Sequence, residues 1–329
     1  MSKQVSAKII ADSVSKEGNR ITTFELEYPR IIHSELMTHR LFSRNAASSR
    51  AIPVKTLIEM VRNEPAMPVR FGANQPGMQD KGEEHTALVL NHFSPRKAWA
   101  IAAEDAAFWA DAFAEAGYHK QIANRLLEPF QRMKTVLTAT EYENFWWLRL
   151  DKDADPTIEA LGKAMYQVYT ESDPEPLSPG QWHTPYVDHL VTITEYASED
   201  NFEYCILDEN NKPVILTEEE ALSISASCCA QVSYRRLIST KDKALDIYSR
   251  LLSGDKVHAS PFEHQSTPMQ PYKEIENSDY LTIGHINKPT DPDTWEKGIT
   301  HMDRQKNLWS GNFKGWIQHR QLLDNHTKW

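Results

Sequence analysis

Apolar and polar positions alternate, with breaks, along Ala7-Lys-Ile-Ile and again along Ile21-Thr-Thr-Phe-Glu-Leu-Glu-Tyr28. With Lys16-Glu-Gly-Asn19 between them, this predicts a β-hairpin over residues 6 to 28, ended by Pro29. From Ile31 to about Arg44 the period lengthens. Ile32 and Leu36 fall one turn apart while Glu35 and His39 share another face, which predicts a helix. Pro53 to Arg62 predicts a second helix opened by proline. Residues 63 to 92 are broken by Pro65, Pro68, Gly72, Pro76, Gly77 and Gly82 and predict a long surface loop of the flap kind. Ser94-Pro95 opens an Ala-rich helix that runs to about Gly117. A helix over His119 to Met133, carrying Arg125, then precedes a strand at Lys134 to Thr138 and a helix through Tyr142 to Leu150. Asp155-Pro156 caps a further helix with Ile158, Leu161, Met165 and Val168 at helical spacing.

The proline-rich stretch 172–187 is expected to link a first half, 1–171, to a second, 188–329. Beyond it the pattern predicts strands at His189 to Tyr196 and Tyr204 to Leu207. Helices are predicted at Glu218 to about Arg236, Lys241 to Leu252, and Trp309 to Leu323.

Composition narrows the function classes. The chain has 329 residues, 40% apolar and 25% charged, an ordinary globular mixture with room for a substantial core. Its formal net charge of −10 opposes binding to a polyanion such as nucleic acid, because that affinity comes from Lys and Arg displacing counterions. A bound anion is therefore expected to be small and met by a local cluster. Only Cys205, Cys228 and Cys229 are present, an odd number with two adjacent and no Cys-x-x-Cys spacing, so neither a disulfide framework nor a zinc site is expected. No apolar run approaches membrane-spanning length and the polar start is unlike a signal peptide, so a cytoplasmic protein without membrane contact is expected.

The candidate chemistry is concentrated in three places. His39-Arg40-Leu41-Phe42-Ser43-Arg44-Asn45-Ala46-Ala47-Ser48-Ser49-Arg50 supplies an imidazole, guanidinium groups, an amide and hydroxyls in twelve positions, the makings of an anion pocket; the plain alternative is a solvated, Ser-rich helix end. Ser48, Ser49 and Arg50 suit a phosphate, since a guanidinium fork pairs with two of its oxygens. His258-Ala-Ser260-Pro261-Phe262-Glu263-His264 hints at metal ligands, yet its spacing matches no zinc pattern. A turn initiated by Pro261 over a buried Phe262 is the simpler account. In Asn144-Phe-Trp-Trp-Leu148-Arg149 the terminal residues stand roughly 140° apart around a helix and must serve different partners. For Arg149 the plain alternative is an ion pair with Asp151 or Asp153, and for Trp146-Trp147 it is core packing.

These three stretches together resemble the flavin-dependent thymidylate synthase family. The first is similar to its His-Arg signature with Ser, Asn, Ser and Arg at fixed intervals. The second is similar to its Ser/Thr-Pro-Phe-Glu-His motif, and the third to its Asn-Phe-x-x-Leu-Arg. Ser225-Ala-Ser-Cys-Cys-Ala-Gln-Val-Ser233-Tyr234 resembles the family's Ser-Ala-Arg-Val-Ser-Tyr, and Arg125 with Pro129 its Arg-x-x-x-Pro. The resemblance implies an α/β fold of the α+β kind, with a central, mostly antiparallel sheet and long helices in two pseudo-repeated halves. It implies a homo-oligomer, dimer or tetramer, with sites between subunits. It further implies FAD, with NADPH and methylenetetrahydrofolate as co-substrates, converting dUMP to dTMP. Flavin contacts would come from His39, Arg40, Leu41, Asn45, Asn144, Ser260, Glu263 and His264. The nucleotide would be held by Glu35, Ser48, Ser49, Arg50, Arg125 and Arg149, with Arg149 the catalytic residue over the pyrimidine.

Several positions depart from the family's pattern. Thr38 stands for an Arg, Ala46 for a Glu, Glu35 for a Gln, and Thr138 and Thr140 for flavin-contacting Asn and Arg. The motif order is also rearranged, since the Ser-Pro-Phe-Glu-His stretch here follows the His-Arg signature. Two alternatives stay open on these grounds: another modification of a deoxypyrimidine monophosphate, such as hydroxymethylation, and a non-catalytic flavin- or nucleotide-binding homologue.

Overall fold

A computed structural model describes residues 4–80, 82–192, 201–232, 241–253, 257–270 and 291–327. Strands β1 (Ser6–Ser15) and β2 (Arg20–Pro29) form the expected hairpin, with Gly18 at φ 82° in its turn, a left-handed conformation glycine adopts without a Cβ clash. The helix expected from Ile31 to Arg44 is much shorter: a 3-10 turn, Arg30–Ile32, and one turn of helix α1 (His33–Leu36). The chain then straightens into β3 (Ser43–Ala46), which pairs antiparallel with β4 (Arg132–Ala139) from Ser43 opposite Thr138 to Ala46 opposite Thr135. Tertiary pairing overrides the helical period here. The Arg44 guanidinium donates to the carbonyls of Leu36 and His39, satisfying groups left open where the helix stops.

Helix α2 (Val54–Asn63) and the irregular stretch after it follow the sequence pattern, as does α3 (Pro95–Glu115), capped by Ser94 Oγ. The helix expected over 119–133 is instead α4 (Lys120–Ala123) followed by a 3-10 turn, Asn124–Phe130. Pro129 removes a backbone donor there, and Arg132 already pairs with Pro29 as β4 begins. Helices α5 (Glu143–Arg149) and α6 (Pro156–Glu171), the latter capped by Asp155, match expectation. They cover one face of the sheet over a core of Phe24, Leu26, Phe42, Leu137, Phe145 and Leu161, each burial worth roughly 1.5–3 kcal/mol. The proline-rich segment contributes β5 (Glu175–Leu177), parallel to β1, and buries Trp182, His183 and Thr184. The sheet order is β3-β4-β2-β1-β5, antiparallel except at that last pair.

The second half adds β6 (Asp188–Thr192), β7 (Asn201–Leu207) and β8 (Pro213–Leu216) as an antiparallel sheet. Helix α7 (Glu218–Ala230), opened by a Thr217/Glu220 capping box, and α8 (Lys241–Leu252) follow. The expected continuation of the first strand through 193–196, and of α7 through 233–236 with Ser233-Tyr234, lies outside the described residues. β9 (Ser266–Pro268), β10 (His301–Met302), β11 (Leu308–Ser310), β12 (Phe313–Lys314) and β13 (Trp316–Gln318) complete the fold. The helix expected over 309–323 is thus replaced by short strands and a 3-10 turn, His319–Leu322. Gly311 at φ 59° and Gly315 at φ 73° are the reason, because each turns the chain back where a helix would continue. A Cβ on Gly315 would come within 2.4 Å of Asn19 Nδ2.

Candidate functional site

Helix α5 delivers Arg149 to α1, where three residues hold its guanidinium. Nη1 donates to Glu35 Oε2 at 3.1 Å, Nε to His39 Nε2 at 3.0 Å and Nη2 to Thr38 Oγ1 at 3.3 Å. The partner on the sequence-based alternative was Asp151 or Asp153; the geometry selects Glu35. His39 is fixed edge-on against Phe145 and stacked on Phe42. Accepting a hydrogen bond at Nε2 requires a neutral ring with its proton on Nδ1. Burial first, then the Arg149 and Arg44 cations, push the His39 pKa down to about 4, consistent with that state. Glu35 is raised, by burial and by Asp155, against the pull of Arg149. Thr38, where the family pattern has an arginine, donates to Glu35 O and supplies one Arg149 acceptor, so a hydroxyl takes a place where a second cation would repel the first. Arg40, Leu41 and Asn144 are exposed on the elements that carry this cluster.

A second cluster forms around Glu128. Its Oε1 accepts from Ser49 Oγ at 2.9 Å and Arg125 Nη1 at 2.9 Å, and lies 3.1 Å from Arg30 Nη2. The fully buried Asn124 amide fixes the Ser49 loop by donating to the carbonyls of Ser49 and Ile52. Ser48 lies beside it, half-buried, and Arg50 is exposed. The expected phosphate ligands Ser49 and Arg125 therefore do meet, through a carboxylate that sequence reasoning passed over. Its only sequence signal was the three-residue spacing from Arg125. Arg149 belongs to the other cluster.

The Ser260–Glu263 segment is a 3-10 turn with Phe262 buried, as the simpler account held. It packs on β3, and residues of the C-terminal segment join the two. Asn312 donates to Leu41 O and Gln318 to Glu263 O, while both contact Ser43 Oγ. Glu263 is ion-paired with Arg320, and Asn45 Nδ2 donates to Cys229 O. Behind them runs a buried chain in which Ser13 and Thr23 hold the two ring nitrogens of His183, Thr23 meets Thr138, and Thr138 meets His264 Nδ1 at 2.8 Å. Burial pushes both His183 and His264 down to about 3, so both rings are neutral. Thr140 Oγ1 accepts from Lys314 N, and Ala46 packs against the main core. The departures at 46, 138 and 140 are thus built into core packing and into contacts with His264 and Lys314.

Architecture and site together define a mixed α/β protein on mostly antiparallel sheets, with the half-buried Arg149 guanidinium hydrogen-bonded to Glu35, Thr38 and His39. Residues 20–175 match the family model described as thymidylate synthase complementing protein, which bears out the resemblance read from the sequence. Among solved structures, the chain is similar to a UMP/dUMP methylase, PolB, from Streptomyces cacaoi. The form bound with 5-Br UMP is 16% identical with a TM-score of 0.39, covering 52% of this chain and 90% of that one. The form bound with 5-Br dUMP is 14% identical with a TM-score of 0.41, covering 52% and 91%. Nothing among curated proteins matches. Among the described residues, no helix is long and apolar enough to cross a membrane.

Proposed function

We propose that this protein is an enzyme that binds dUMP and methylates it reductively at C5 to give dTMP, using methylenetetrahydrofolate and NADPH through FAD, as a cytoplasmic homo-oligomer. The observation that carries the proposal is the Arg149 guanidinium, held by hydrogen bonds to Glu35, Thr38 and His39. A fixed cation beside a pyrimidine oxygen stabilises the negative charge that develops when C5 attacks, with no reorganisation cost at that moment. Ser48, Ser49, Arg50 and Arg125 are assigned to the phosphate. A neutral His39 leaves the ring's charge to Arg149 alone.

For the flavin, the two halves of the motif set differ. Arg40, Leu41 and Asn144 are exposed around the Arg149 cluster and fit a flat ring at that rim. Glu263, Asn45 and His264 are committed to Arg320, Cys229 O and Thr138 within the same chain. We therefore assign the flavin to the rim of His39, Arg40, Leu41 and Asn144, with Ser260 at its exposed margin. When bound, FAD supplies hydride and carries the one-carbon unit, so no protein cysteine is required as nucleophile; Cys229 is buried, which raises its thiol pKa well above normal.

Incubating the protein with FAD, NADPH and methylenetetrahydrofolate, then comparing products from dUMP and dCMP by mass spectrometry, tests this. Thymidylate from dUMP supports it, and a hydroxymethyl product replaces it with the related modification chemistry. The internal pairing of Glu263 and Asn45 favours one second reading, a nucleotide-binding homologue without turnover. Tight dUMP binding with no product under these conditions would select it.

A further inference from the structure

One carboxylate oxygen, Glu128 Oε1, is shared by three donors from separate stretches of chain. They are the hydroxyl of Ser49 at 2.9 Å, on the loop after β3, the Arg125 guanidinium at 2.9 Å, on the 3-10 turn that carries Glu128 itself, and the Arg30 guanidinium at 3.1 Å, on the turn that follows β2. Two fork-shaped cations and a hydroxyl around one oxygen form the donor set that a phosphate oxygen takes. Each donor is placed by its own backbone. Arg30 N donates to Gln131 O, the Asn124 amide holds the Ser49 carbonyl, and Pro129 fixes φ beside Glu128. The cluster is open to solvent, with the Arg125 side chain 55% exposed and those of Arg30 and Glu128 21% each. Ser49 has a single hydroxyl proton, so it cannot donate to Glu128 and to a phosphate at once. A carboxylate left beside a bound phosphate would also repel it, since both are negative and both only accept.

We propose that Glu128 is an internal competitor for the phosphate of the nucleotide, exchanging with it on Ser49 and Arg125, and that Arg30 is a further ligand of that phosphate. The proposal rests on the reading of Ser48, Ser49, Arg50 and Arg125 as the phosphate site. The exchange keeps the Arg30 and Arg125 guanidinium groups matched by an anion whichever of the two is bound, so a monophosphate leaves without setting two like charges against each other. Glu128 thereby lowers phosphate affinity and speeds release, acting on the phosphate and not on the base.

The test is calorimetric titration of the full-length protein with dUMP, deoxyuridine and inorganic phosphate as separate probes. Glu128→Gln keeps the length of the side chain and an oxygen for Arg30 and Arg125 but removes the competing charge. It should tighten dUMP and inorganic phosphate by about tenfold and leave deoxyuridine unchanged. Arg30→Met should weaken dUMP by about tenfold, in the wild type and in Glu128→Gln alike, with deoxyuridine again unchanged as the sign of an intact fold and base site. Where dUMP binds, unchanged or weaker dUMP affinity in Glu128→Gln, the result expected of a carboxylate that only orients Arg125, overturns the proposal, and so does dUMP affinity indifferent to Arg30→Met. Failure of dUMP to bind at all would count against the proposed function, and inorganic phosphate then decides this proposal by itself: tighter phosphate binding in Glu128→Gln than in the wild type upholds it, and no phosphate binding in either overturns it.

Discussion

Replacing Arg149 tests the physical core of the site. Arg149→Ala removes a partly exposed ion pair, with side-chain exposures of 18% for Arg149 and 37% for Glu35, worth about 0.5–1 kcal/mol. It also removes hydrogen bonds to Thr38 and His39, worth roughly 0.5–1.5 kcal/mol each. The stability loss should therefore be about 1.5–4 kcal/mol, a fall of several degrees in Tm, and the protein should stay folded. The effect on chemistry should be larger, because a pre-set cation at a developing charge is worth on the order of 10²–10³ in kcat. Arg149→Lys keeps the charge but loses the planar fork that serves three acceptors, so it should recover only part of the rate. A second readout is independent of turnover. His39 is held down to about 4 first by burial and then by Arg149, so in Arg149→Ala its NMR titration should move upward, toward the ordinary histidine value. Wild-type turnover in Arg149→Ala, together with an unmoved His39 titration, would refute the reasoning.

Acid should destabilise the fold through its neutral histidines. His183 and His264 sit at about 3, and His33, His39 and His319 at about 4. A lowered folded-state value means the unfolded chain binds more protons below about 6.5, so stability is fully present above that pH and is lost as pH falls toward 4 and then 3; Tm against pH checks it, and a flat profile over that window would count against buried neutral rings. Gly315→Ala should cost about 1–2 kcal/mol or more, from its positive φ and the contact with Asn19, measured by chemical denaturation. Arg50→Ala should weaken dUMP about tenfold in an isothermal titration while leaving deoxyuridine affinity unchanged, because only the phosphate is lost as a partner.

Local patterns made much of the scaffold legible. The hairpin, α2, α3, α5, α6 and α8 follow from alternation, helical spacing and caps at Ser94, Asp155 and their neighbours. The misread segments are those where long-range pairing outweighs local period. Ser43–Ala46 is drawn into a strand by β4, and the Trp309–Leu323 pattern, helical in spacing, is cut by two glycines whose positive φ shows only once the chain is folded. At the site, Glu35, His39 and Arg149 were each named from the sequence, yet their mutual hydrogen bonds were not. A separation of more than a hundred positions between Arg149 and α1 carries no local signal. Asn312, Gln318 and Arg320 were missed for the same reason, since each matters through a residue distant along the chain, whereas Glu128 had one local cue, its spacing from Arg125.

The central claim, a pyrimidine nucleotide held beside a flavin at the Arg149 rim, is tested most directly by the visible absorption spectrum of the protein reconstituted with FAD, recorded before and after adding dUMP. Flavin bands that survive gel filtration and shift on adding dUMP in the wild type, but not in Arg149→Ala, are the expected result. A protein that retains no flavin, or retains it with a spectrum indifferent to dUMP, would contradict the claim.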